Sequence, residues 1–325
     1  MNHTAEKSII FIHIPKTAGT TLRTILEGIY DENEICKLYH DNDYSGFDAF
    51  KKLTDEEKRK KKIFVGHVQF GLHREIPQAC QYITVLRNPM YAFISYHNFM
   101  KNTVCDDPNV QFRDVWEKAA AMSIDEFANC DFTKSISNWQ VCYLSNRPMN
   151  SGAQATRQDL EDAKENLRKY FLLGLTERFD ESITLMKRVL GWRIPFYFSW
   201  NVSKNKKPRK EIQENTLKII AEKNNLDLEL YTFAVDLFNK QVGAQGTSFV
   251  RELDELRHAN TYIANLIATK NAEKDAAIKQ VAEQTMKQTA EDVSMQFRLA
   301  WSWRLTAPIR KAADLMKRSP RLEEK

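Results

Sequence analysis

The segment Ser8-Ile9-Ile10-Phe11-Ile12-His13-Ile14-Pro15-Lys16-Thr17-Ala18-Gly19-Thr20-Thr21 constrains this chain more than any other. Residues 8–14 are a short, nearly continuous run of branched and apolar side chains, which suits a strand buried on both faces. Pro15 ends it. From Thr20 to Ile29 the apolar residues Leu22, Ile25, Leu26 and Ile29 recur at helical spacing. The unit is therefore strand, tight loop, helix. Such a loop directs backbone N–H groups and a helix N-terminus at one point, and Lys16 adds a mobile cation there. Phosphate suits that point; an ordinary turn between strand and helix is the other reading of the loop taken alone.

Further strands are expected at 62–65, running into Gly66-His67-Val68, and at 81–86, running into Arg87-Asn88-Pro89. A helix follows over 90–100. Strands alternating with helices predict an α/β fold, a mostly parallel sheet with flanking helices, whose ligands sit beyond the carboxyl ends of the strands. All three polar groups follow their strands. Residues 100–170 read as mainly helical, 171–175 as a strand, 180–190 as a helix closed by Gly191, and 211–242 as two helices dividing near Asn224-Asn225. The glycines of Val242-Gly243-Ala244-Gln245-Gly246 place a boundary there. Residues 1–242 would form the nucleotide-binding catalytic domain and 243–325 a helical extension.

What the chain lacks narrows its chemistry. The Walker pattern is absent, since Lys16 precedes Gly19 rather than following it, and no acidic metal-binding residue follows a strand. This favours a nucleotide chemistry that needs no magnesium over an ATPase or GTPase. The five cysteines are scattered without CxxC spacing, so no metal site and no disulfide framework is expected. No apolar run reaches the roughly 20 residues of a membrane span, and the start is too short for a signal peptide. A cytoplasmic protein is expected, with no transmembrane segment. The net charge of +5 is modest, and no nucleic-acid-reading motif is present. Basic residues cluster at 58–62 and at 204–210, each a solvated face or an anion-binding surface.

Arg87, at a strand's end, suits a forked grip on phosphate, and Ser95 lies about two helical turns beyond it. His67 follows a strand on the same face and has the residue type of a general base near neutral pH; His73 lies close by in sequence. His13, inside the first strand, reads as a packed core residue.

These residues, in this order and spacing, resemble the PAPS-dependent carbohydrate sulfotransferases, with the heparan sulfate 2-O- and 6-O-type enzymes and their bacterial homologues as the nearer likeness. Asn138-Trp139-Gln140 with Leu144, the run from Leu173 to Phe179, and Asn201 followed by basic residues and Pro208 extend the likeness over about residues 8–240. The resemblance implies a P-loop-like sheet binding 3′-phosphoadenosine 5′-phosphosulfate (PAPS), with 3′-phosphoadenosine 5′-phosphate as product and no metal. It implies that Lys16, Thr17, Ala18, Gly19, Thr20 and Thr21 hold the 5′-phosphosulfate, that Arg87 and Ser95 hold the 3′-phosphate, and that His67 is the base, with Lys16 sharing in catalysis. Val65 stands where the 2-O-type enzymes carry a second histidine, so His67 acts alone or with His73. Gln140, Lys206 and Lys207 are further candidates. A glycan or glycolipid is the implied acceptor.

The last third is of another kind. Within 248–297, Phe249, Leu253, Leu256, Asn260, Ile263 and Ile267 step by three or four, as in a short coiled coil that would join copies of the chain or dock; a loosely attached, solvated helix is the other reading. Phe297, Leu299, Trp301 and Trp303 lie beside Arg298, Arg304, Arg310 and Lys311, a composition that suits peripheral contact with the inner face of a membrane or packing onto the main domain. Residues 302–310 resemble a short segment of bacterial glycan-assembly glycosyltransferases, which implies a bacterial surface polysaccharide as acceptor. A small-molecule kinase and a non-enzymatic nucleotide-binding scaffold are the rival readings.

Overall fold

The computed structural model describes residues 7–41, 44–103, 110–148, 153–192, 197 and 212–270, with single positions at 284, 288 and 295. The strands are β1 (Ser8–Ile12), β2 (Ile35–Leu38), β3 (His40–Asp41), β4 (Tyr44–Ser45), β5 (Ile63–Gly66), β6 (Cys80–Leu86) and β7 (Phe171–Leu175). The helices are α1 (Gly19–Ile29), α2 (Gly46–Lys52), α3 (Asp55–Arg59), α4 (Pro89–Asn102), α5 (Val110–Ala121), α6 (Ile124–Asn129), α7 (Trp139–Leu144), α8 (Arg157–Tyr170), α9 (Phe179–Leu190), α10 (Glu214–Lys223) and α11 (Asn225–Gly243).

Five strands form one sheet in the order β2-β5-β1-β6-β7, and every pairing in it is parallel. β1 is central, with Ile12 opposite Gly66 of β5 and Thr84 of β6. The strands end near one level, so the segments that follow β1, β5 and β6 emerge side by side. β1, β5 and β7 are buried at every residue, as expected for a parallel sheet covered on both faces. Ile10, Ile12, Ile63, Ile83 and Leu173 are fully buried, each worth about 1.5–3 kcal/mol of transfer free energy.

The expected α/β architecture is present, with α4 and α9 close to their sequence-based limits. The run 8–14 stops as a strand at Ile12, because His13 and Ile14 already belong to the loop. The edge strand β2 was not expected: it has four residues, and the exposed Lys37 interrupts its apolar pattern. Its identity comes from pairing with β5.

The chain divides into two compact units, Met1–Thr261 and Tyr262–Lys325. Residues 248–270 are helical. Phe249, Leu253 and Leu256, the first three steps of the expected coiled-coil seam, are buried in the chain's own main core. Glu252 pairs with Lys187 at 2.9 Å and Arg188 at 2.8 Å, anchoring this stretch to α9. Among the described residues no helix is long and apolar enough to cross a membrane.

Candidate active site

The loop between β1 and α1 combines left-handed backbone with an uncapped helix start, features that suit an anion. Lys16 and Ala18 both have left-handed backbone, φ 65° and 66°, at a cost of about 1–2 kcal/mol per residue for an L side chain. The alternation turns successive peptide N–H groups toward one side, the concavity that binds anions. α1 begins at Gly19 with no side-chain cap and no acidic residue in its first turn. Its positive end is left open to a ligand. Thr17 is committed to the loop itself: its hydroxyl donates to the Ile14 carbonyl at 2.9 Å. Its own carbonyl accepts from the Thr176 hydroxyl at 2.9 Å, which ties the loop to the start of the turn after β7. Thr17 therefore offers its backbone, whereas Thr20 is exposed and Thr21 half-buried at the helix start.

Arg87 follows β6 directly, next to the loop, and donates through Nη1 to the Lys16 carbonyl at 2.9 Å. Its Nε is buried without a partner. Burial holds its guanidinium below the usual range, offset in part by Glu177. Lys16 is brought down to about 8, chiefly by burial and then by Arg87. The Lys16 Nζ rests 4.0 Å over the ring of Phe99 on α4. Among the described residues neither cation has a carboxylate within ion-pair distance. Ser95 lies one turn before Phe99 on α4, half-buried.

Gln140 fixes where Arg87 stands. Its Oε1 accepts from the Arg87 N–H at 3.0 Å and its Nε2 donates to the Arg87 carbonyl at 2.8 Å. Gln140 is held in turn by two helix starts that cap one another. The Asp227 carboxylate, in the first turn of α11, accepts the N–H groups of Gln140 at 3.1 Å and Val141 at 2.8 Å at the start of α7. The Asn138 side chain, before α7, accepts those of Leu226 and Asp227, each at 3.1 Å. Burial raises Asp227 to about 7 against the pull of these donors.

His67 lies on the opposite side of β1, at the end of β5, and is exposed. Its Nδ1 lies 2.6 Å from the His13 carbonyl. A carbonyl only accepts, so Nδ1 carries the proton and Nε2 is the unprotonated nitrogen of the ring. His13 is itself buried and is held down at about 3, by burial first and then by His67, Arg23 and Lys16. It is neutral at any physiological pH. Its Nδ1 meets the Tyr39 hydroxyl at 2.8 Å, and its ring lies where a side chain at position 19 would be: a Cβ there would come within 2.0 Å of it. Gly19 is thus required by the histidine ring. Tyr39 sets its ring edge-on to His67, centroids 5.1 Å apart.

The structure does not bring His73 to this group. The chain after β5 folds back along the sheet, and the His73 Nδ1 meets the Tyr82 hydroxyl at 2.8 Å, with its ring stacked on Tyr170. Tyr82 stands four residues before the end of β6, about 13 Å back from the level of the loop. The basic run 58–62 is occupied structurally: Lys58 donates to the Glu75 carbonyl, Lys61 to that of Asn33, Lys60 pairs with Glu56 and Lys62 with Glu34. Lys206 and Lys207, like residues 298–311, lie outside the described residues. Among the described residues no group of three or more His, Cys, Asp or Glu is placed to hold a metal ion. Sequence reading missed Tyr39, Arg23 and Asp227, none of which has a motif around it.

The galactose-3-O-sulfotransferase family profile matches residues 2–300. Human galactosylceramide sulfotransferase is 28% identical over 274 residues, covering 78% of this chain and 62% of that protein. Chicken heparan-sulfate 6-O-sulfotransferase 2 is 26% identical over 289 residues, covering 73% and 68%. The heparan sulfate 2-O-sulfotransferase 1 of Pongo abelii is 23% identical over 257 residues, covering 71% and 70%. The chain thus spans less than two thirds of the galactosylceramide enzyme's length. The match bears out the likeness to carbohydrate sulfotransferases drawn from the motifs: the chain belongs to the galactose-3-O-sulfotransferase family.

Proposed function

We propose that this chain is a carbohydrate O-sulfotransferase that uses PAPS, moving a sulfuryl group to a saccharide hydroxyl. The observation that carries the reading is the placing of Lys16 and Arg87, two cations without a carboxylate partner among the described residues, beside an uncapped helix start. The donor set fits the nucleotide. The loop amides and Lys16 suit the 5′-phosphosulfate, and Arg87 with Ser95, one strand over on the β6 side, suits the 3′-phosphate. The buried, unpartnered Arg87 Nε is what a phosphate oxygen would satisfy.

When bound, the nucleotide supplies a sulfuryl group on an anhydride oxygen. The chain's residues do the rest. His67 Nε2 takes the proton of the acceptor hydroxyl as that oxygen bonds to sulfur. The bond from sulfur to the 5′-phosphate oxygen breaks, and its electron pair stays on that oxygen. Lys16 and the N–H groups at the start of α1 face the growing charge, where preorganised donors act most strongly. Attack and departure lie roughly in line, as in phosphoryl transfer. The sheet order supports this division, with Arg87 on one flank of β1 and His67 on the other.

The acceptor we propose is a glycan or glycolipid, and more narrowly a bacterial surface polysaccharide, supported by the short resemblance of residues 302–310. Work at the cytoplasmic face of a membrane is part of the same reading. The test is thermal stabilisation by 3′-phosphoadenosine 5′-phosphate, AMP and magnesium-ATP. A large rise in midpoint with the first alone supports the sulfotransferase; preference for magnesium-ATP overturns it in favour of a kinase.

A further inference from the structure

The acceptor side of the site carries a cation that the transfer chemistry does not use. Arg23 sits on α1, just beyond the phosphate loop, with its guanidinium carbon 5.2 Å from the centre of the Tyr39 ring. Tyr39 is the ring that meets His67 edge-on at 5.1 Å. Arg23 and His67 therefore both lie against one aromatic ring, with centres 5.2 Å and 5.1 Å from its own. The Arg23 Nε is buried without a hydrogen-bond partner. Its nearest carboxylate, Glu27, stands 3.8 Å away and is shared with Lys37 of β2, which approaches it more closely at 3.2 Å. One carboxylate thus faces two cations, and His13 alongside is neutral. The patch keeps an excess of positive charge, with about a third of the Arg23 side chain exposed.

The sheet order says which substrate meets this charge. β5 and β2, which carry His67 and lead to Tyr39, lie on the flank of β1 away from Arg87. A nucleotide reaching from Arg87 to the loop leaves this flank to the acceptor. We infer that Arg23, against Tyr39, forms an acceptor subsite for an acidic group, a carboxylate or sulfate ester near the hydroxyl that faces His67. The inference rests on the sulfotransferase reading and narrows its substrate class from saccharides in general to acidic saccharides. A guanidinium gives either anion a paired, charge-assisted contact.

The test uses the full chain loaded with 3′-phosphoadenosine 5′-phosphate, whose binding is confirmed first by thermal shift. Calorimetry then compares a disaccharide containing a hexuronic acid, its carboxyl-reduced counterpart, and the same neutral disaccharide bearing a sulfate ester. The wild type should bind at least one acidic form about tenfold more tightly than the neutral one, an advantage that shrinks as salt rises. Arg23→Gln should bring the acidic forms to the level of the neutral one, and Arg23→Lys should keep part of the difference. The carboxylate and sulfate arms tell which anion is preferred. Equal binding of acidic and neutral forms by the wild type, or a preference that survives in Arg23→Gln, overturns the inference and leaves the nucleotide reading standing. Failure of the nucleotide to bind overturns both.

Discussion

Gln140 holds the peptide of Arg87 from both directions, accepting its N–H at 3.0 Å and donating to its carbonyl at 2.8 Å. An arginine placed this way starts from a fixed origin, so on the proposed reading little ordering is left for a phosphate to impose. Gln140→Ala would leave a buried donor and acceptor unpaired, at about 1–3 kcal/mol each. The expected outcome is a selective loss: affinity for 3′-phosphoadenosine 5′-phosphate falls at least tenfold, while that for AMP changes little. Titration calorimetry of the two nucleotides checks it, and equal losses would make Gln140 merely structural.

Lys16 should set a pH limit on nucleotide binding. Burial and Arg87 bring it down to about 8, so the free protein loses this proton as pH rises through 8. A polyanion binds the protonated form, so affinity should be highest below pH 8 and decline above it. In Lys16→Gln the affinity should be lower throughout and the decline should vanish. Binding curves between pH 6.5 and 9.5 decide the matter.

The Gly19–His13 contact predicts a rescue. Gly19→Ala would drive a methyl into the His13 ring, with the nearest ring atom at 2.0 Å from the new Cβ. The backbone or the ring must move, and the carbonyl that orients His67 moves with them. Lost activity and a destabilisation of about 1–3 kcal/mol are expected for an overpacked site. His13→Ala combined with Gly19→Ala should recover part of the stability without the activity. Chemical denaturation of the two singles and the double measures the coupling.

His67→Ala should lower turnover by about 10²–10⁴-fold, the usual range for a general base, while nucleotide affinity stays near wild type. Transfer measured alongside calorimetry separates the two effects. Near-normal transfer would remove His67 from the mechanism.

Asp227→Asn tests the paired helix starts. An amide accepts through one oxygen only, so one of the two N–H groups, Gln140 or Val141, loses its partner. A stability loss of about 1–3 kcal/mol is expected, with part of the Gln140→Ala loss in nucleotide selectivity. Denaturation midpoints and the same nucleotide pair provide the measurement.

The local units were legible because their causes are local. The branched run before Pro15, the helical spacing after Gly19 and the polar groups at strand ends each announce themselves within about ten residues. Together they gave the fold class, the turn that carries Lys16 and the strand ends that carry Arg87 and His67. They did not reveal the pairings that make these residues a site. Gln140 is 53 residues from Arg87, and Asp227 is 87 from Gln140. Both contacts arise only because α7 and α11 start at the same point. His73 looked as near to His67 as a partner should be, yet the chain turns back after β5 and gives it to Tyr82. The edge strand β2 has too few residues to carry a pattern, so Tyr39 behind it was invisible, and with it the ring that Arg23 and His67 share. Sequence alone determined the strand–turn–helix unit around Lys16, since its three parts follow one another in the chain. Only the tertiary structure decided that Arg87 lies on one flank of β1 and His67 on the other, because β5 and β6 pair with β1 from opposite sides.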